Sequence, residues 1–262
     1  MPSTYAHRYF GERVRAQLTG RAAEIIDQKR ELFDIGLHGP DILFYHKPLS
    51  YNRVNQIGHD MHREKGSRFF TDVKPQIKKS ADPEGALSYI LGFVCHFALD
   101  SQSHPYVEHA IGKTGATHVE IEAEFDKMLM RRDGFDPWKF DSASHLKNSS
   151  QWAEVIAPLF GITEKDAYTA VKDMKRYAIF FTTTNPVIRG SVFFLLKASG
   201  LSKNIRGMFL NKKDHPKCRE SSAVLAEKLE EAVPIGAALI ENYLDFYEKG
   251  TELASRFELP YE

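Results

Sequence analysis

The chain opens with two apolar repeats at helical spacing. Tyr5, Phe10, Val14 and Leu18 recur around residues 4–17, and Ala22, Ile25, Ile26 and Phe33 along 20–33, with Thr19-Gly20 between them. Side chains three to four residues apart share one helix face, so each segment predicts an amphipathic helix. Gly39-Pro40 then enforces a non-helical turn, and Asp41 follows as the expected N-cap of the I-L-F-Y segment. Residues 51–70 predict a further helix carrying His59 and His62 at i, i+3, and residues 71–85, with Pro75 and Pro83, a polar connector.

From Ala86 to Leu99 the pattern changes. The run A-L-S-Y-I-L-G-F-V-C-H-F-A-L is apolar on nearly every side, the mark of a buried helix. It is expected to end at Ser103-His104-Pro105, because the residue before a proline is pushed out of the α region. A partner helix is expected over His118–Arg131, opened by Thr117 and Glu120 as a capping box. After a loop over 133–147 come amphipathic segments near 149–160 and 163–184, a break at Asn185-Pro186 and a shorter apolar helix near 188–198. A basic loop from Lys203 to Arg219 leads into a long helix over about 220–249, with a kink expected at Pro234. No segment sustains the alternation of a strand. The predicted fold is therefore all-α, as a single domain over residues 1–262.

Composition narrows the function classes. Lys plus Arg and Asp plus Glu both number 35, so there is no global basic surface of the kind that binds nucleic acid by neutralising phosphates, and no stable nucleic-acid partner is expected. The two cysteines, Cys95 and Cys218, form neither a C-x-x-C unit nor a disulfide framework. The first residues lack a basic segment followed by an apolar core, and no apolar run is long enough to span a bilayer, so a cytoplasmic protein is expected. The loop with Lys212, Lys213 and Lys217 is read as solvated, with transient attraction to a phosphate or a membrane surface as the alternative.

Within 27 residues the chain places His96, Asp100, His104, His118 and Glu122. His96/Asp100 and His118/Glu122 are each four apart, which on a helix aims an imidazole and a carboxylate at one point. Burying His96 and Asp100 in so apolar a helix costs several kcal/mol unless something cationic meets them, and no Lys or Arg lies between Lys79 and Lys113. A divalent metal held by neutral imidazoles and carboxylates meets that need, the alternative being a buried His–Asp hydrogen bond or a distant Arg partner. Nine of the eleven histidines fall at or before residue 118, so the second half is expected to act as scaffold and pocket wall.

The series His96-x3-Asp100-x3-His104 followed by His118-x3-Glu122, with Y-A-H around His7, H-G-P-D-I-L-F-Y and H-F-A-L-D-S-Q-S-H-P, resembles the zinc-dependent phospholipase C family over roughly the first half of the chain. That resemblance implies an all-helical phosphodiesterase of the phospholipase C / P1 nuclease type, with two to three Zn²⁺ ions and a phospholipid or related phosphodiester as substrate. It implies one zinc on His104, His118 and Glu122. A second would lie on His96, Asp100 and a histidine of the preceding helix, taken as His59 in preference to His62. Asp100 would bridge to a third, which also takes His7. Asp41 would orient or deprotonate a zinc-activated attacking water. Secreted members complete the third zinc with an N-terminal tryptophan. Met1-Pro2 stands here instead, so that ion would be absent or completed by the processed terminus at Pro2 or by His38. The alternatives are a nuclease on the same scaffold, a His-Asp-type metallophosphohydrolase suggested by Gly58-His59-Asp60, and a non-catalytic protein stabilised by metal.

Overall fold

A computed structural model describes residues 3–48, 50–147, 149–183, 185–199 and 207–261, with the side chains of 193–199 excepted. The described residues form helices and turns with no strand beyond one isolated bridge between Lys65 and Pro260, so the fold is all-α.

Helix α1 (Thr4–Gln17) is followed by α2 (Gly20–Gln28) and α3 (Arg30–Gly36), which the pattern had joined into one. The break is at Lys29, whose non-helical backbone (φ −122°, ψ 39°) lets the chain change direction before Leu32 and Phe33 enter the core. A short turn of helix, α4 (Asp41–Phe44), comes after Gly39-Pro40. Asp41 is its first residue, not its cap, and its side chain bonds no backbone amide of that turn. The expected helix over 51–70 is two, α5 (Arg53–Arg63) and α6 (Gly66–Asp72). Here the chain extends through Glu64 and Lys65, and the Gly66 amide donates to the Leu259 carbonyl (3.0 Å). A Cβ at Gly66 would lie 2.7 Å from the Phe97 ring, so the split lets two distant segments close over that ring. The polar connector also contains a helix, α7 (Lys74–Lys79), with Pro75 in its first turn, where a proline is tolerated.

Helix α8 (Pro83–Thr114) is the centre of the molecule, and it does not end at Pro105. Pro105 is exposed on the solvent side, while Val107 and Ala110 carry the buried stripe onward to Gly115, whose left-handed conformation (φ 71°) closes the helix. Burial of that stripe against other helices outweighs one lost backbone bond and the proline's steric preference. Helix α9 (His118–Arg132) begins at the expected capping box, the Glu120 carboxylate accepting from the Thr117 amide (2.8 Å) and the Thr117 hydroxyl accepting from the Glu120 amide (3.4 Å). Helices α10 (Gln151–Phe160), α11 (Glu164–Phe181), α12 (Pro186–Ser199) and α13 (Cys218–Lys249) follow close to the predicted bounds, with Pro234 inside α13. The start of the basic loop, residues 203–206, lies outside the described residues.

One contact sets the geometry of everything downstream. Helix α3 crosses α8 at two glycines, where a Cβ on Gly36 would lie 2.0 Å from the Tyr89 carbonyl oxygen and one on Gly92 2.3 Å from that of Phe33. Backbone meets backbone, so the turn 37–41 is drawn over the middle of α8, beside His96. Gly92→Ala is expected to cost about 3 kcal/mol, since neither backbone can yield without unpacking a helix. Thermal unfolding measured against Gly112→Ala, where no heavy atom lies within 4 Å, checks it.

Candidate metal centre

Four elements bring their polar groups to the middle of α8. His96, Asp100 and His104 stand one turn apart along it, and all three are buried. Across from them α1 supplies His7, α4 supplies Asp41, α5 supplies His62, and α9 supplies His118 and Glu122. Three sets offer ligand atoms within 4.8 Å of one another: His7, His96 and Asp100; Asp41, His62 and His96; and His104, His118 and Glu122.

Asp100 is the hub. Its Oδ2 lies 2.9 Å from His96 Nε2, and its Oδ1 lies 3.3 Å from His7 Nε2 and 3.8 Å from His104 Nε2. Its partners are three imidazoles instead of a guanidinium or ammonium. Glu122 likewise sits 3.2 Å from His118 Nε2 and 3.7 Å from His104 Nε2. His118 is the most open of these groups, with a side chain 27% exposed, so the cluster reaches solvent on that side.

The histidine tautomers bear on what can sit between these groups. His62 Nδ1 is 2.8 Å from the Gly58 carbonyl, His104 Nδ1 is 3.0 Å from the Tyr261 carbonyl, and His118 Nδ1 is 3.3 Å from a Glu108 oxygen. A carbonyl or carboxylate only accepts, so each Nδ1 must carry the proton. In a neutral ring Nε2 is then a lone pair aimed at Asp41 (3.0 Å), Glu122 or Asp100. Lone pair facing carboxylate is repulsive unless a proton or a cation lies between. Fixing Nδ1 on an outer acceptor while Nε2 points inward is how proteins orient imidazoles toward a metal. His96 adds a fully buried ring whose Nε2 lies on Asp100 and whose Nδ1 has no hydrogen-bond partner among the described residues. This donor set fits Zn²⁺, which takes nitrogen and carboxylate oxygen.

The ionisation states agree. Burial would raise the Asp41 carboxyl, but the His62 hydrogen bond and the neighbouring His96 hold it at about 2. Burial also opposes the charge on Asp100, yet His96, His104 and His7 keep it far below the usual carboxylate range. Burial lowers His7 to about 4. Carboxylates without protons beside a neutral His7 need lose little to take up a metal.

Of the residues singled out in the sequence, the structure brings together His7, Asp41, His96, Asp100, His104, His118 and Glu122. His59 is not with them. It is exposed on α5 against the Phe44 ring (4.4 Å between centroids), and its neighbour one turn on, His62, faces Asp41. The reason is helical phase: Val54, Gly58, Met61 and His62 share the buried face. Pro2 lies outside the described residues, and His38 faces His145 instead, Nε2 to Nε2 at 2.8 Å. His145, in the loop after α9, had no carboxylate at helical spacing to flag it. Asp126 was also unmarked as a site residue. It accepts the amides of Tyr5 (3.1 Å) and Ala6 (2.9 Å) and so anchors the first turn of α1 that carries His7.

A pH dependence follows for chelator-treated protein. Burial lowers His7 to about 4, His145 to about 3 and His38 well below its ordinary value, so the unfolded chain takes up protons that the fold refuses. Stability is then present above the unfolded histidine value near 6.5 and is lost as pH falls toward 4, by up to roughly 4 kcal/mol per pH unit for three protons. His62 and His118 are raised against burial by Asp41 and Glu122 respectively, so their contribution fades as pH rises above about 6.5. Maximal stability is expected near neutrality, and urea midpoints that stay level from pH 7 to about 4.5 would contradict this.

Comparison with known proteins adds one match. The family model for zinc dependent phospholipase C matches residues 6–170. Neither the curated proteins nor the solved structures contain a match. The matched span begins just before His7 and runs from α1 into α11, taking in every ligand of the three sets. The chain belongs to the zinc-dependent phospholipase C family.

Proposed function

We propose that this protein hydrolyses a phosphodiester, with a phospholipid as the substrate class, at a cluster of two to three Zn²⁺ ions held by His7, His62, His96, Asp100, His104, His118 and Glu122, with Asp41 beside them. The observation that carries the reading is the set of inward-facing Nε2 atoms, fixed from outside by acceptors and turned toward ionised carboxylates on adjacent turns. Zinc bound there supplies Lewis acidity, lowering the pKa of water toward neutrality and neutralising phosphoryl oxygens.

The chain's own groups account for the rest. Asp41, ionised and on a stiff turn, has one oxygen on His62 and is placed to orient a water and accept its proton. His62, its Nδ1 fixed by the Gly58 carbonyl, keeps its Nε2 beside that carboxylate (3.0 Å). Asp100 holds three imidazoles in mutual register, which fixes the spacing between the metal groups. The side chain of His118, 27% exposed, gives the cluster its contact with solvent, the side from which a diester would approach.

The test is zinc content by elemental mass spectrometry together with turnover of bis(p-nitrophenyl) phosphate and phosphatidylcholine. Asp41→Asn is expected to retain at least one zinc ion while losing more than about a hundredfold in turnover. Full activity in that variant at unchanged zinc content would remove Asp41 from the mechanism. Protein that takes up no stoichiometric zinc after metal is restored would overturn the reading as a whole.

A further inference from the structure

Between Asp173 and Asp214 the chain contains eight Lys or Arg and no Asp or Glu, although its total charge is balanced at 35 of each sign. The same stretch is rich in Phe, Ile, Leu and Val. Of the six large hydrophobic residues exposed among the described residues, three lie here: Ile179 (51%), Val187 (72%) and Ile188 (42%). Lys212 and Lys213 are exposed at its far end. Exposed apolar side chains scattered singly are ordinary, whereas several in one stretch with an excess of positive charge mark a surface for interaction.

The base of the stretch is firmly built. The Leu210 amide donates to the Phe181 carbonyl (3.1 Å), so the segment leaves and returns at one place. Arg189 donates to the Thr183 and Leu210 carbonyls (3.2 and 3.0 Å) and lies over the ring of Phe209, itself buried against Phe180 and Phe181. Both sides of that base adjoin elements of the metal centre. Tyr177 packs on Tyr45, immediately after the turn that carries Asp41 (6.2 Å between centroids). Gly207 is pressed so close to the first turn of α9 that a Cβ there would lie 2.6 Å from Val119 and 3.0 Å from the Thr117 hydroxyl, on either side of His118. The base of the stretch therefore adjoins two elements that carry residues of the metal centre.

We infer that Ile179, Val187, Ile188, Lys212 and Lys213 form a docking surface for a bilayer that contains anionic lipid. The inference rests on the proposed phospholipid substrate and extends it to how the enzyme reaches lipid. Apolar side chains enter the boundary between headgroups and acyl chains, while the lysines meet anionic headgroups. Helix α12, at 14 residues about 21 Å long, is too short to cross a bilayer, and no helix among the described residues is long and apolar enough to do so. Any contact of α12 with a bilayer is therefore a contact at its surface.

The experiment is co-sedimentation of the purified, zinc-loaded protein with vesicles of phosphatidylcholine alone and of phosphatidylcholine with phosphatidylserine, beside turnover of the soluble diester bis(p-nitrophenyl) phosphate. Binding is expected to be stronger to the serine-containing vesicles and to weaken with salt. The double variant Val187→Ser, Ile188→Ser is expected to bind both vesicles at least tenfold more weakly. Lys212→Glu with Lys213→Glu is expected to lose roughly thirtyfold on the anionic vesicles only. Both variants should turn over the soluble diester as the parent does. Unchanged binding in either variant, no binding of the parent to any vesicle, or retention on single-stranded RNA in place of vesicles would overturn the inference. A protein that hydrolyses the soluble diester without binding vesicles loses only the docking surface. One that binds vesicles and hydrolyses no diester loses only the proposed activity.

Discussion

Asp100→Asn is expected to strip the protein of most of its zinc and to lower diester turnover by more than about a hundredfold, beyond the usual loss for groups one shell further from a metal. The substitution keeps the size of the side chain and removes its charge. Three imidazoles converge on this carboxylate, from His96 at 2.9 Å, His7 at 3.3 Å and His104 at 3.8 Å. An amide offers one oxygen to that ring of donors and turns an NH₂ toward the others, so it can serve one metal group and not two. Elemental mass spectrometry and bis(p-nitrophenyl) phosphate turnover measure both losses, and circular dichroism checks that the helices remain. A variant with the parent's zinc content would show that Asp100 is not the link between the groups.

Gly39→Ala is expected to damage the same centre without touching a ligand. Gly39 holds φ at 48°, where an L side chain is strained by about 1 kcal/mol. A Cβ there would also meet the His96 ring, with atoms at 2.3, 2.5 and 2.9 Å. Either His96 turns away or the loop carrying Asp41 lifts, and both separate Asp41, His62 and His96. Gly20→Ala is the matched control, because Gly20 has φ 60° and nothing within 4 Å of its missing Cβ. The control should lose about 1 kcal/mol of stability and keep its zinc. Gly39→Ala should lose more than that and release metal more readily to a chelator, in a competition titration. Equal chelator sensitivity in the two variants would mean that His96 can yield without cost.

How much of this was legible in the sequence depends on whether the signal was local. The His96/Asp100 and His118/Glu122 pairs lie within single helices, so their spacing alone announced a shared direction. The capping box at Thr117 was readable for the same reason. Asp41 was marked by the stiff turn before it, though the expected cap gave way to a contact with His62, a partner on another helix. His59 and His62 differ by less than one helical turn, and only the burial of Gly58 and Met61 against α4 and the core decides which of them turns inward. Pro105 misled because local backbone preference is weaker than the packing of Val107 and Ala110, which depends on residues far along the chain. His145 beside His38 and the Tyr261 carbonyl beside His104 are long-range contacts with no periodicity to betray them.

The Tyr261 contact has a consequence for how the protein is made. Its carbonyl fixes the proton on His104 from 157 positions away, after its segment has crossed between α5 and α6. On a ribosome, α8 and α9 emerge long before that carbonyl does, with the His104 tautomer still unassigned. A nascent chain therefore lacks the outer partner that orients one ligand until Tyr261 has been synthesised and docked. Firm zinc retention is then expected only once the Tyr261 segment has docked on α8.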